Sequence, residues 1–190
     1  ATLRQALRDP RQWWLNAAWL LLGGVWLMFS VHVVPFARDR GIDLGGAALT
    51  LTAYGLGAIT GRLTSGAVSD RLGVFATIRA SYAIQLAALL PVLAVSSRDA
   101  LLVALALFGV GFAAADTMIT RVVPDVFGVR AIGAIMGVLG LGWRLGAALG
   151  PTAAGFVHDA TGSYALPFGA APVAVLASWV LFELATRRRT

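Results

Sequence analysis

Cysteine and lysine are both absent from this chain. Without cysteine there is no disulfide, no catalytic thiolate and no cysteine-held metal. Without lysine there is no phosphate-binding loop of the Gly-rich, lysine-ending kind; HExxH and G-x-S-x-G are missing too. Nothing here points to an enzyme, a cofactor or a metal. Charge is scarce as well. Charged residues make up 13% of the 190 residues and hydrophobic ones 58%, where a soluble domain is about 25% charged. That balance, with a mean hydropathy of +0.80, describes a membrane protein. All 15 basic residues are arginine and the net charge is +6. In a soluble protein that excess would suggest nucleic acid. Here the arginines fall at the ends of apolar runs, where they set orientation in a bilayer.

Runs of about 20 apolar residues are read as spanning helices. Six are expected, at about Trp13–Ala37, Gly46–Val68, Ala76–Val95, Ala100–Thr120, Ile132–Phe156 and Tyr164–Ala185. The polar segments ARDRGIDLG, SDRLGVF, SSRDA, RVVPDVFGVR and VHDATGS read as the turns between them. Arg4, Arg8, Arg11, Arg71, Arg79, Arg121, Arg130 and Arg187–Arg189 fall on one side, and Arg38, Arg40 and Arg98 on the other. Ten against three places both termini in the cytoplasm. Trp13, Trp14 and Trp179 fit interfacial belts. The opening residues ATLRQALRDPRQWW lack the order of a signal peptide, and the chain is expected to begin inside a longer protein.

The chain echoes itself. Ser65-Gly-Ala-Val-Ser-Asp-Arg-Leu-Gly73 aligns with Ala154-Gly-Phe-Val-His-Asp-Ala-Thr-Gly162, so that Gly66, Val68, Asp70 and Gly73 match Gly155, Val157, Asp159 and Gly162. The first copy follows the second span and the second copy follows the fifth, on opposite faces. That pattern implies two three-helix units of inverted topology. The expected fold is an all-α membrane protein of six helices in two inverted three-helix repeats: a juxtamembrane segment 1–12, repeats at 13–95 and 100–185, and a tail 186–190.

Charged residues inside spans are functional pointers. Arg144 lies near the centre of the fifth span. A guanidinium cannot escape burial by deprotonating; it either clamps a carboxylate through two parallel hydrogen bonds or belongs to a structural ion pair. Arg62 shares a helical face with Tyr54 and Ala58; it serves a site, snorkels to the near face or latches Asp70. Asp116 is the acidic residue well inside a span, either a proton carrier or a fixed partner. His32, near the far end of the first span, is either a proton-linked gate or a packed residue. Gly142, Gly146 and Gly150, followed by Pro151, read as close helix packing with a kink, or as a hinge. Gly57, Gly61 and Ser65 repeat the spacing.

The run GRLTSGAVSDRLG at 61–73 resembles the loop after the second helix of each half in the major facilitator superfamily. Gly66, Asp70, Arg71 and Gly73 match this cytoplasmic gate motif; Val74 and Phe75 stand where a basic pair often follows. TLRQALRDPRQWW with VHVVPFARDRGI, GVGFAAAD with VPDVFG, and GPTAAGFVHDATGSY are similar to bacterial monocarboxylate transporters and oxalate/formate antiporters. The resemblance covers essentially the whole chain and places it in the carboxyl-terminal half. It implies twelve helices in two halves with a substrate site between them, so the other six-helix half is an expected partner, alongside the lipid bilayer and a small organic anion. It also implies that Arg62 contacts the substrate anion. The expected function is a secondary transporter of organic carboxylates in a bacterial inner membrane, by proton symport or anion exchange. The alternative is a non-transporting six-helix module acting as a sensor or assembly partner.

Overall fold

The computed structural model describes residues 2–95 and 97–187. Ala1, Ser96 and the last three residues, among them Arg188 and Arg189, lie outside the described residues. Among the described residues seven helices follow one another: α1 Leu3–Arg8, α2 Pro10–Asp39, α3 Leu44–Leu72, α4 Val74–Leu89, α5 Arg98–Phe127, α6 Ile132–Thr161 and α7 Ala165–Thr186. The segment expected as a plain juxtamembrane stretch is helical because its caps are complete. Thr2 Oγ1 accepts from the Gln5 N–H and Gln5 Oε1 accepts from the Thr2 N–H. Asp9 then caps α2, with Pro10 at its first position, where a missing N–H costs nothing.

Among the described residues four helices, α2, α5, α6 and α7, are long and apolar enough to cross a membrane. The other two expected spans differ. α4 closes at Leu89, 16 residues long, before the turns around Pro91, because a proline's missing N–H and its ring both oppose helix continuation. α3 has 29 residues but is rich in Gly, Ser and Thr. The two echo segments, expected as turns, are the final turns of α3 and α6. Gly73 and Gly162 close them at φ 85° and 67°, a region where a Cβ is strained. Each donates its N–H to the carbonyl four residues back, Ser69 and His158. Likewise α5 runs on through RVVPD to Phe127: Pro124 lies inside it, and Gly128 caps it on the Pro124 carbonyl.

The packing has an internal regularity. The most extensive contacts are α3 with α5 and α2 with α6, followed by α4 with α5 and α2 with α7. Exchanging α2 with α5, α3 with α6 and α4 with α7 maps each of these pairings onto another member of the set. Both principal contacts are glycine seams. Gly57 and Gly61 lie against the Ala106 and Val110 carbonyls of α5. Gly142, Gly146 and Gly150 lie against the Asn16, Leu20 and Gly24 carbonyls of α2. Small residues let backbones approach this closely.

Behind the seams, α4, α7 and α2 share a buried polar knot. Ser178 Oγ donates to the Ala18 carbonyl at 2.9 Å, so the Tyr82 hydroxyl, 2.8 Å away, must donate to Ser178. Ser178→Ala leaves the fully buried Tyr82 hydroxyl without that acceptor. An expected loss of about 1–3 kcal/mol is checked by the unfolding midpoint in detergent; an unchanged midpoint would remove the knot from the account of stability.

Candidate functional site

The face of α3 that carries Tyr54, Ala58 and Arg62 is closed for two turns and then opens. Tyr54 is 6% exposed and Ala58 7%, whereas the Arg62 side chain is 49% exposed. Tyr54 stacks on Phe108 of α5, ring centres 5.6 Å apart. Its hydroxyl lies beside Ser30 and Trp26 and meets no protein group with good hydrogen-bond geometry.

Asp116 projects from α5 toward both arginines. Its Oδ2 is 4.0 Å from Arg62 Nη2, within ion-pair range and outside hydrogen-bond range. Asp116 and Arg144 also line one pocket of about 170 Å3, walled by Trp19 of α2 and by Met136, Gly140 and Trp143 of α6. The Arg144 guanidinium folds back over Gly140, where an added Cβ would sit 2.8 Å from Nη1. Among the described residues Arg144 has no hydrogen bond and no ion pair. Asp116 therefore shares one patch with two guanidinium groups and engages Arg62 loosely.

Aromatic rings back this face. Trp26 stacks on Phe112 at 5.7 Å and meets Trp143 at 5.3 Å. The result is a patch with two positive charges, one negative charge and apolar walls. Its chemistry suits a small anion with an apolar body, held by guanidinium forks that match a carboxylate in plane. Among the described residues no group of histidine and carboxylate side chains is arranged to hold a metal ion.

The remaining expected residues sit elsewhere. Asp70 does not pair with Arg62: its Oδ1 lies 3.1 Å from Arg121 Nη1, and the same Nη1 donates to Ser69 Oγ at 2.6 Å. The end of α3 is thereby tied to α5. Arg71 has no polar partner among the described residues, and a Cβ added at Gly66 would meet nothing within 4 Å. His32 is half-buried. Its Nε2 lies 3.0 Å from the Pro151 carbonyl and its Nδ1 3.2 Å from the Tyr164 hydroxyl. Pro151 lies inside α6, and Gly142, Gly146 and Gly150 belong to the seam with α2. Arg121 and Trp143 take these places through the helix pairing, which no local sequence pattern shows.

A family model described as Major Facilitator Superfamily matches residues 15–190. Among curated relatives, "Monocarboxylate transporter 11" of Homo sapiens is 29% identical over 158 residues, covering 78% of this chain and 33% of that protein. "Monocarboxylate transporter 13" of Bos taurus is 29% identical over 157 residues, covering 81% and 37%. "MFS-type transporter pytF" of Aspergillus terreus is 35% identical over 75 residues, 38% of this chain and 25% of that protein. The chain spans about a third of the length of these monocarboxylate transporter relatives.

Proposed function

Because this chain belongs to the Major Facilitator Superfamily, we propose that it forms one half of a secondary transporter that moves small organic carboxylate anions by alternating access. It is a multi-pass membrane protein. In this reading α2 to α7 are six spans in two inverted repeats, with both termini cytoplasmic. The exchange symmetry of the helix contacts and the paired caps at Gly73 and Gly162 support that arrangement. A second six-helix half completes the site. Exposed apolar side chains on the helices that bear the two arginines, such as Leu56 and Leu63 on α3 and Leu141 and Leu145 on α6, suit packing against it.

The observation that carries the reading is Arg144. A permanent cation within an apolar helix needs an anion or a polar cavity. Among the described residues Arg144 makes no ion pair, and it opens on a pocket shared with Asp116. A carboxylate substrate supplies the missing partner. Arg62, loosely paired, supplies the second fork once it turns from Asp116 to the substrate. Tyr54, two turns before Arg62 on the same helix face, stacks on Phe108 and fixes α3 against α5. The relatives named monocarboxylate transporters point to the same class of cargo.

The test uses the full-length protein in proteoliposomes. Uptake of a labelled monocarboxylate is expected to be saturable and competed by other monocarboxylates. The matching neutral amides, of the same shape without the charge, are expected to compete at least about tenfold less well. Equal competition by acid and amide would overturn the anion site. Asp116→Asn separates the two modes of coupling: in a proton symporter it abolishes drive by a pH gradient and spares exchange, and in an exchanger it leaves both unchanged.

A further inference from the structure

The Arg121 contact with Ser69 and Asp70 has a counterpart at the other end of the bundle. Exchanging α3 with α6 and α5 with α2 carries Ser69 and Asp70 onto His158 and Asp159, and the end of α5 onto the end of α2. There His158 Nε2 lies 3.9 Å from Asp39 Oδ2, and its Nδ1 3.8 Å from Asp159 Oδ1. We infer that His158 and Asp39 form a proton-dependent tether between the ends of α2 and α6, opposite the permanent tether made by Arg121 and Asp70.

The chemistry of the two ends differs in one respect. Arginine keeps its charge at every physiological pH, so the Arg121 contact is always ionic. Histidine as a class changes charge between about pH 5 and 8. At 3.9 Å the contact to Asp39 is too long for a hydrogen bond and gains strength only when the ring is cationic. His158 lies in the last turn of α6, where the helix's unpaired carbonyl groups favour a cation. Its side chain is 32% exposed, so protons reach it from water. The ring lies flat against Tyr164 at the start of α7, centroids 4.1 Å apart and 21° between planes. A tightened His158 therefore also holds the entry to α7.

The groups facing His158 are Asp39 from α2, Asp159 from its own helix and the Tyr164 ring from the α6–α7 junction. Arg40 is turned away, its guanidinium 3.7 Å over the Phe36 ring and bonded to the Leu93 carbonyl at 3.1 Å. Arg38 makes no ion pair among the described residues. His32 also meets the Tyr164 ring, centroids 5.3 Å apart, and is held at both nitrogens. The Pro151 carbonyl can only accept, so Nε2 carries the hydrogen and Nδ1 accepts from the Tyr164 hydroxyl; the neutral ring is fully satisfied. Acidification at this end therefore binds α6 to α2, and alkalinisation releases it. Within the transport reading, the compartment facing this end sets how firmly the helix bearing Arg144 is held. The tether itself stands on the geometry and survives if the cargo is something else.

Hydrogen exchange on the full-length protein, corrected for the intrinsic pH dependence of exchange, reads it directly. Amides 157–165 are expected to exchange about three- to fivefold more slowly at pH 5.5 than at pH 8. His158→Gln and Asp39→Asn are expected to remove that step, His158→Arg to give the slow rate at both pH values, and His32→Gln to keep the step. A step that persists in His158→Gln, that vanishes only in His32→Gln, or that is absent from the wild type would overturn the tether. Carboxylate uptake by the same variants reports on the transport reading separately.

Discussion

Arg144→Gln is expected to lower carboxylate uptake at limiting substrate by about a hundredfold while leaving the amount of protein in the membrane unchanged. Two charge-assisted hydrogen bonds of about 1.5 kcal/mol each account for that factor. The fold should not notice the loss, because within this half Arg144 has no hydrogen bond or ion pair to break and is exposed on the open face of α6. Arg144→Lys keeps the charge without the fork and is expected to recover only part of the uptake. Gly140→Ala adds a probe of position. Its Cβ would intrude within 2.8 Å of Nη1, displacing the guanidinium without removing it, so KM should rise several-fold with little change in folding. Carboxylate uptake by Arg144→Gln at the wild-type level, with expression matched, would sink the assignment. Loss of membrane-inserted protein in that variant would instead return Arg144 to a structural role in pairing with the other half.

The membrane character, the helical class and the positions of the helices were legible from the apolar runs, because burial in lipid constrains composition over 20 residues at a time. The ends of the helices were not. SDRLG and HDATG look like turns by composition, yet they remain helical up to their glycines: at a bilayer surface polar residues continue a helix without penalty, and it stops where Gly73 and Gly162 supply positive φ. The echo between 65–73 and 154–162 was visible in those same segments. What it pairs was not, since no local pattern says that α3 lies against α5 or that α2 lies against α6. The candidate site shows the same division. Arg62, Asp116 and Arg144 announce themselves as charges in apolar surroundings. That Asp116 joins both arginines in one patch, that Asp70 pairs with Arg121 and that His158 faces Asp39 are long-range facts set by helix pairing.

Gly146→Val is expected to be the most damaging single change to the fold. A Cβ at Gly146 would run into the Leu20 carbonyl of α2, and a backbone oxygen in mid-helix cannot swing aside as a side chain can. Relief requires α2 and α6 to separate along a contact that Gly142 and Gly150 also make close. The Asn16 and Gly24 carbonyls on α2 would move with it, and so would the face that positions Trp19 and Trp143 at the pocket. Overpacking costs about 1–3 kcal/mol where neighbours can adjust; here the neighbour is backbone, and about 3 kcal/mol or more is expected. Gly137→Ala is the matched control on the same helix. An added Cβ there meets nothing within 4 Å, and alanine is favoured over glycine in a helix by about 1 kcal/mol, so it should hold or raise stability. Unfolding midpoints in detergent for the pair therefore move in opposite directions. A Gly146→Val protein that melts like the wild type would mean that the α2–α6 seam is looser than these close approaches require, and that the small residues at 142, 146 and 150 serve helix movement and not packing.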